Sequence, residues 1–308
     1  MGIARSTYKV NPGLYCVGTP SSESPVLVTA NYKLSFDTLR SSLQDKDARL
    51  LVIDTRGINV WCAAGKKTFS ADEIAFQVKR TNLDKIVTHR ELILPQLAAV
   101  GVASHELKKN CGFKATYGPI RAQDLPAYLD RNKQADERMR SVTFTLGERL
   151  VLTPVEIALT WKIVLMTTLV SFIISGIGPD IYSIEAAWAR GLSATGATLT
   201  ALLAGTLVTP SLLPWLPGRQ FWFKGAVVGS VFGLLYLSQS MKGAQIVEQF
   251  GILLWITVAS SYLAMNFTGA TPFTSLSGVE KEMRKGLPFQ GIGAVLSIVS
   301  WLAAPFLR

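Results

Sequence analysis

The stretch Leu50-Leu51-Val52-Ile53-Asp54-Thr55-Arg56-Gly57-Ile58-Asn59-Val60-Trp61-Cys62-Ala63-Ala64-Gly65-Lys66 decides the reading of this chain. Its opening run, Leu50 to Asp54, is short, apolar and closed by an acid, the pattern of a strand buried on both faces of a parallel sheet. Thr55 to Asn59 then reads as a turn, and a helix is expected from about Val60. One thiol, Cys62, therefore stands near the start of a helix at the carboxyl end of a strand, just before the basic pair Lys66-Lys67.

Downstream, strand and helix signals alternate. Ser70-Ala71-Asp72-Glu73 resembles a capping box, with Ile74, Ala75 and Val78 as the apolar face of its helix. Lys85-Ile86-Val87-Thr88 and Leu92-Ile93-Leu94 read as apolar strand runs. A helix is expected over Ser104 to Asn110, closed by Gly112 as its C-cap. Lys114-Ala115-Thr116-Tyr117 reads as a strand ending at Gly118-Pro119, and Arg121 to Asp124 leads into a short helix around Leu125 to Asp130. The charged run Asp130 to Arg140 reads as a solvated linker. Such alternation over some 100 residues implies an α/β fold, a Rossmann-like parallel sheet with helices on its faces, which binds ligands at the carboxyl ends of its strands. Asn59 to Lys66 is one such end and Gly118-Pro119-Ile120 is another.

Charge divides the chain near Arg149. Residues 1 to 150 carry 22 Lys/Arg and 15 Asp/Glu, against 9 and 6 in residues 151 to 308. The second half holds five apolar segments, at about 155–177, 184–208, 219–238, 246–267 and 288–306, each approaching the ~20 residues that cross a ~30 Å hydrocarbon core as a helix. The sequence thus predicts an α/β domain over 1–137, a linker over 138–153 and an all-α transmembrane domain of about five helices over 154–308. Arg138, Arg140 and Arg149, then Arg219 and Lys224, then Lys281, Arg284 and Lys285 all fall on one side. The opposite side carries Asp180, Glu185, Lys242 and Glu248, which places the N-terminal domain in the cytoplasm and the chain in the cytoplasmic (inner) membrane as a multi-pass protein. Arg190 and Glu185 read as residues near a membrane interface. Met1 to Ser6 has no apolar h-region and is not expected to be a signal peptide.

Several chemistries are excluded. The net charge of +10 comes from basic residues interleaved with acids, without a nucleic-acid-binding motif. Gly65-Lys66-Lys67-Thr68 fails the phosphate-loop spacing, because the preceding glycine is Gly57 and Lys67 separates Lys66 from Thr68. His89 and His105 sit in no zinc spacing. Three cysteines, Cys16, Cys62 and Cys111, cannot supply four thiolates, so no iron–sulfur cluster is expected in this chain, and their wide spacing suits a reducing compartment. Cys62 itself has two readings on spacing alone. It is a metal-binding thiolate favoured by the helix N-terminus and by Lys66 and Lys67, or a buried, inert cysteine.

Asn59-Val60-Trp61-Cys62-Ala63-Ala64-Gly65-Lys66 resembles the signature of the mercury-methylating corrinoid protein (HgcA) family. The resemblance extends through Leu94-Pro95-Gln96-Leu97, the helix carrying His105, Tyr117-Gly118-Pro119-Ile120 and the apolar C-terminal half. It implies a domain like that of the corrinoid iron–sulfur protein, holding a corrinoid (cobalamin or methylcobalamin), with Cys62 as lower axial ligand to cobalt. Asn59, Val60, Trp61, Ala63, Ala64, Gly65 and Lys66 would form a cap helix whose small residues let its backbone approach the macrocycle. Thr55, Leu94, Pro95, Gln96, His105, Gly118, Pro119 and Ile120 complete the implied cofactor site. The implied activity is corrinoid-dependent methyl transfer to inorganic Hg(II), yielding methylmercury in an anaerobe. The implied partners are a small ferredoxin with two [4Fe-4S] clusters as reductant, a one-carbon methyl-donor protein or pterin, and the lipid bilayer, with no nucleic acid. Two other readings remain at this stage: a corrinoid methyl carrier for another acceptor in one-carbon or acetyl-CoA-type metabolism, and a membrane-bound thiol metal sensor without enzymatic activity.

Overall fold

The computed structural model describes residues 8–270 and 276–307; the Met1 to Ser6 segment lies outside them. The chain forms two compact units, Ile3–Val142 and a second that includes Thr143–Arg308.

The first unit is built on a five-stranded sheet of β1 (Gly13–Val17), β2 (Val26–Ala30), β3 (Ala48–Ile53), β4 (Glu91–Leu94) and β5 (Lys114–Tyr117). Its order is β1-β3-β2-β4-β5. The expected strand at Leu50 is β3, all six of whose residues are buried, as a strand covered on both faces requires. The pairs β3–β2, β2–β4 and β4–β5 are parallel, whereas β1 runs antiparallel to β3 at one edge, so the sheet is mixed rather than wholly parallel.

Helices α1 (Lys33–Ser42), α2 (Val60–Gly65), α3 (Ala71–Arg80), α4 (Leu83–Ile86), α5 (Ser104–Cys111), α6 (Leu125–Asp130) and α7 (Glu137–Arg140) complete the unit. Two apolar cores result. One gathers Leu51, Ile53, Ala63, Ala64, Phe69, Ile74, Leu92 and Leu94; the other gathers Leu43, Leu50, Val52, Ile93 and Tyr128. Alternate residues of β3 and β4 feed opposite cores, which is the period-2 rule for strands.

Three expectations change. Lys85 to Thr88 does not form a strand: Asn82 takes a left-handed conformation (φ 49°) and Leu83, fully buried, starts the single turn α4. Ser70 caps α3 by accepting from Glu73 N. The reciprocal half of the capping box is replaced, because the Glu73 carboxylate accepts from Asp54 N and Gln77 Nε2, each at 3.0 Å. The run Asp130 to Arg140 folds back onto the domain: Asp136 caps α7, Met139 is buried, and Ile120 N donates to Met139 O at 2.9 Å. Lys133 is also ion-paired with Glu91 of β4.

The second unit is helical: α8 (Leu146–Ser175), a small hairpin of β6 (Ile177–Gly178) and β7 (Ile181–Tyr182), then α9 (Ile184–Leu203), α10 (Thr209–Leu212), α11 (Phe221–Ser240), α12 (Ile246–Ala270) and α13 (Leu276–Ala303). A π-helical segment, Ala204–Val208, joins α9 to α10. Among the described residues, five helices are long and apolar enough to cross a membrane: Leu146–Ser175, Ile184–Leu212, Phe221–Ser240, Ile246–Thr268 and Gly278–Phe306. Lys281, Arg284 and Lys285 lie inside the fifth of these helices, not ahead of it. The buried residues of α8 are Arg149, Thr153, Glu156, Thr160, Ser171 and Ser175. This seam turns its polar side chains toward neighbouring helices, and its apolar ones, such as Leu159, Ile163 and Ile173, stay exposed, the inverse of a soluble helix.

Arg190 is a structural clasp: its Nε donates to Glu248 Oε1 at 2.8 Å, one terminal nitrogen donates to Ser175 O at 3.0 Å and the other to Trp301 O. Its guanidinium also lies 4.4 Å from the Trp301 ring centroid. One cation thus joins the ends of α8, α9, α12 and α13, and the interfacial residue expected from sequence is a helix fastener.

Candidate functional site

Chain order and strand order disagree at one place in the sheet. From β2 the chain crosses to β3 on one side, then from β3 to β4 on the other, so the direction reverses between β2 and β4. A crevice outside the carboxyl ends of the strands forms at such a reversal. Here β2 and β4 share one paired register, Leu27 with Ile93.

Residues from both sides converge on that end. Asn59 takes an extended conformation and caps α2, its side chain accepting from Cys62 N at 2.9 Å. Cys62, Val60, Trp61 and Gly65 are half-buried and Lys66 is exposed, whereas Ala63 and Ala64 are fully packed into the core. The expected role of these two alanines changes accordingly. Their small size serves the inner face of α2, where it meets the loop after β4. A Cβ on Gly101 of that loop would stand 2.8 Å from both Cα and O of Ala64 and 2.6 Å from Phe69 O. Cys62, the residue before them, is half-buried.

From β4, Leu94 is buried and Pro95 leads into a 3-10 turn, Gln96–Ala98. The Gln96 Oε1 is buried without a hydrogen-bond partner. From β5, Gly118 N donates to Leu94 O at 2.9 Å, and a Cβ on Gly118 would come within 3.2 Å of Ile93 Cγ2. Gly118, Pro119 and Ile120 thus continue β5 against β4, the first two buried. Tyr117 ties the two connections together by donating its hydroxyl to Val102 O; burial pushes that phenol above its ordinary range. Thr55 is fully buried at the end of β3. His105 is exposed in the first turn of α5. The structure brings Thr55, Asn59 to Lys66, Leu94 to Gln96 and Gly118 to Ile120 to one end of the sheet, the end from which α5 and His105 also start.

Burial pushes the Cys62 thiol up from its ordinary value, and the Lys66 charge and the Asn59 hydrogen bond only offset part of that. Of the two readings of Cys62, burial acts against the thiolate and the Lys66 charge acts for it. Cys16, Cys62 and Cys111 are all free.

Asn31 escaped the reading of the sequence. It follows β2, is 3% exposed, and spends its side chain on the loop leading to Cys62. A lone asparagine after an apolar run reads as a turn former, so only the adjacency of β2 and β3 exposes its role.

Fold and site together define a doubly wound α/β domain with a thiol-bearing helix at its topological switch point. Comparison with known proteins gives that class a closer likeness. The family described as CO dehydrogenase/acetyl-CoA synthase delta subunit matches residues 4–129. Over 129 residues the chain is 32% identical to acetyl-CoA decarbonylase/synthase complex subunit gamma of Methanopyrus kandleri, covering 41% of this chain and 28% of that protein. It is 36% identical over 132 residues to subunit gamma 2 of Methanosarcina mazei, covering 42% and 28%, and 28% identical over 130 residues to the gamma subunit of Archaeoglobus fulgidus, covering 42% and 27%. The chain thus spans little more than a quarter of the length of these relatives. The family match ends at residue 129, ahead of the first long apolar helix at Leu146.

Proposed function

We propose that this chain is a membrane-anchored corrinoid protein that accepts a methyl group and passes it to inorganic Hg(II), with Cys62 as the residue whose sulfur would hold the cobalt. The observation that carries the reading is the half-exposed Cys62 thiol on a capped helix at the switch point of the sheet. The residues present fit such a group. A thiolate is a suitable soft donor for the metal, and the unpartnered Gln96 Oε1 is an acceptor for the amide N–H groups at a corrin rim. A bound corrinoid supplies a metal that takes up and releases the methyl group.

The chain's own residues then divide the work. Asn59 fixes the first turn of α2, and Ala63 and Ala64 seat that helix in the core. Cys62 would hold the metal as its thiolate, giving up its proton to solvent. Its sulfur is a strong, soft electron donor and would hold the metal of a bound corrinoid. Thr55, Leu94, Gly118 and Pro119 are packed beneath that end of the sheet, and Pro95, Ile120, His105 and Lys66 are the accessible residues there that would meet the group. Three cysteines cannot build a four-thiolate cluster, so the reductant is a separate protein, a small ferredoxin with two [4Fe-4S] clusters. A one-carbon methyl-donor protein or pterin recharges the site. The five apolar helices hold the protein in the cytoplasmic membrane.

A second reading concerns the acceptor. The relatives are subunits of acetyl-CoA decarbonylase/synthase complexes, and this likeness supports a methyl carrier for another acceptor in one-carbon metabolism better than it supports Hg(II). The mercury reading rests on the Asn59 to Lys66 string and on the membrane helices. Methylmercury production by a strain carrying Cys62→Ala, compared with its parent, separates the two. Loss of production supports Hg(II) as acceptor, and unchanged production removes it in favour of the one-carbon carrier.

A further inference from the structure

We propose that Asn31 is the positioning residue for Cys62, holding the thiol helix in place from the centre of the sheet through a single side-chain amide. Its backbone continues the ladder on both sides: Asn31 N donates to Ile53 O at 3.0 Å, and Asn31 O accepts from Val10 N at 2.9 Å. The side chain is spent elsewhere. Oδ1 accepts from Thr55 N at 3.0 Å and Gly57 N at 2.9 Å, and Nδ2 donates to Asp54 Oδ1 at 2.9 Å. Two backbone donors on one side and a carboxylate on the other fix which atom is oxygen and which is nitrogen.

The two donors fill the lone pairs of Oδ1. The Thr55 hydroxyl, 2.9 Å from Oδ1, therefore sends its one proton to Ile58 O at 2.7 Å. Asp54 Oδ1 also accepts from Arg56 N at 2.8 Å. These bonds hold Arg56 (φ 60°) and Gly57 (φ 78°), two successive left-handed residues, in the turn. The next residue after Ile58 is Asn59, whose side chain caps Cys62 N. Asn31 to Thr55 to Ile58 to the Asn59 cap is a continuous chain of bonds from the strand end to the thiol. Both polar atoms of the buried amide, Oδ1 and Nδ2, bond to that one loop, and a buried polar group held in this way helps to specify the local structure.

The pair Asn31–Asp54 permits an exchange test. Asn31→Asp keeps the acceptor toward Thr55 and Gly57 but sets two carboxylates against each other, and Asn31→Ala removes both arms. The double variant Asn31→Asp/Asp54→Asn restores the donor–acceptor pair in reversed order but gives up the bond from Arg56 N, which shares Asp54 Oδ1. With the full-length protein, free of corrinoid, Cys62 alkylation by iodoacetamide at one fixed pH is followed by peptide mass spectrometry, with Cys16 and Cys111 as internal references. The positioning role predicts roughly three- to tenfold faster modification of Cys62 in both single variants, the scale set by freeing a partly buried thiol. Cys111 stays unchanged, and the double variant is modified more slowly than Asn31→Asp, recovering part of the difference from the parent. Cys62 rates that do not move, parallel acceleration at all three cysteines, or a double variant no better than Asn31→Asp would each overturn the assignment.

A second readout, which rests on the corrinoid reading, is the absorption spectrum after loading with hydroxocobalamin. The thiolate-ligated fraction should fall in Asn31→Ala and recover in part in the double variant. A parent protein that shows no thiolate ligation defeats the cofactor reading while the alkylation result still decides the role of Asn31.

Discussion

Asn59 Oδ1 accepts the backbone N–H of Cys62 at 2.9 Å, so the residue that starts α2 is bonded to the residue that bears its thiol. A six-residue helix cannot stand on propensity alone and depends on its cap and its packing. Asn59→Ala removes the cap and is expected to cost about 1 kcal/mol, whereas Asn59→Asp or Asn59→Ser retains an acceptor and most of the stability. Urea denaturation of the three variants checks this, and an alanine variant as stable as the serine variant would rule out the cap.

Gly101 offers a second test of how α2 is seated. Its added Cβ would press on backbone atoms of Ala64 and Phe69 that have no flexible end to move. Gly101→Ala should therefore destabilise the domain by about 1–3 kcal/mol, the usual cost of overpacking. Gly147, where nothing lies within 4 Å of an added Cβ, serves as a tolerant control. Comparable melting temperatures for the two alanine variants would contradict the close approach of α2 and the 96–101 loop.

Much of this arrangement was legible in the sequence because it is local. The buried run of β3, the Asn59 start of α2, Gly112 as a left-handed C-cap (φ 79°) and the strand Lys114–Tyr117 follow from short-range signals. What the sequence withheld depends on pairing between distant segments. The antiparallel edge β1 is set by β3, 31 residues or more away in its register from Gly13 with Val52 to Val17 with Ala48. The role of Asn31 depends on β2 lying beside β3, and Lys85 to Thr88 lost its strand because burying Leu83 closed a turn. In the site, proximity to Lys66 was readable, but the burial that outweighs it on the Cys62 thiol was not.

Glu91 links β4 to the segment after α6, and its pH response has a defined sign. Burial acts to raise its carboxyl, but hydrogen bonds from Lys133 and Thr116 and the Lys133 and His89 charges prevail, and the net shift is below the ordinary value of 4.5. A carboxylate depressed in the folded state adds stability above its unfolded value and loses it as pH falls through the folded one. Stability should thus decline below about pH 4.5, and Glu91→Gln should flatten that acid limb while lowering neutral stability by about 1 kcal/mol. Denaturation curves from pH 3 to 7 decide it; a variant with an undiminished acid limb would contradict this origin.

In the helical half, Arg190 and Glu248 are 13% and 16% exposed at their side chains. Removing one partner of such a pair leaves a charge and two carbonyl acceptors uncompensated, a loss of about 3–5 kcal/mol. Arg190→Ala should sharply lower the melting temperature in detergent, and Arg190→Lys should recover little of it, because an ammonium cannot reproduce the planar fork on Glu248, Ser175 and Trp301. Full recovery by lysine would show that charge alone suffices there.

The most direct test of the account is the absorption spectrum of the full-length protein purified anaerobically from a corrinoid-supplied host, taken with and without Cys62→Ala. Ligation by Cys62 predicts a corrinoid spectrum carrying a thiolate signature in the parent that reverts to the unligated or water-ligated form in the variant. A parent protein that binds no corrinoid, or identical spectra for the two, would contradict the assignment of Cys62 as the cobalt ligand.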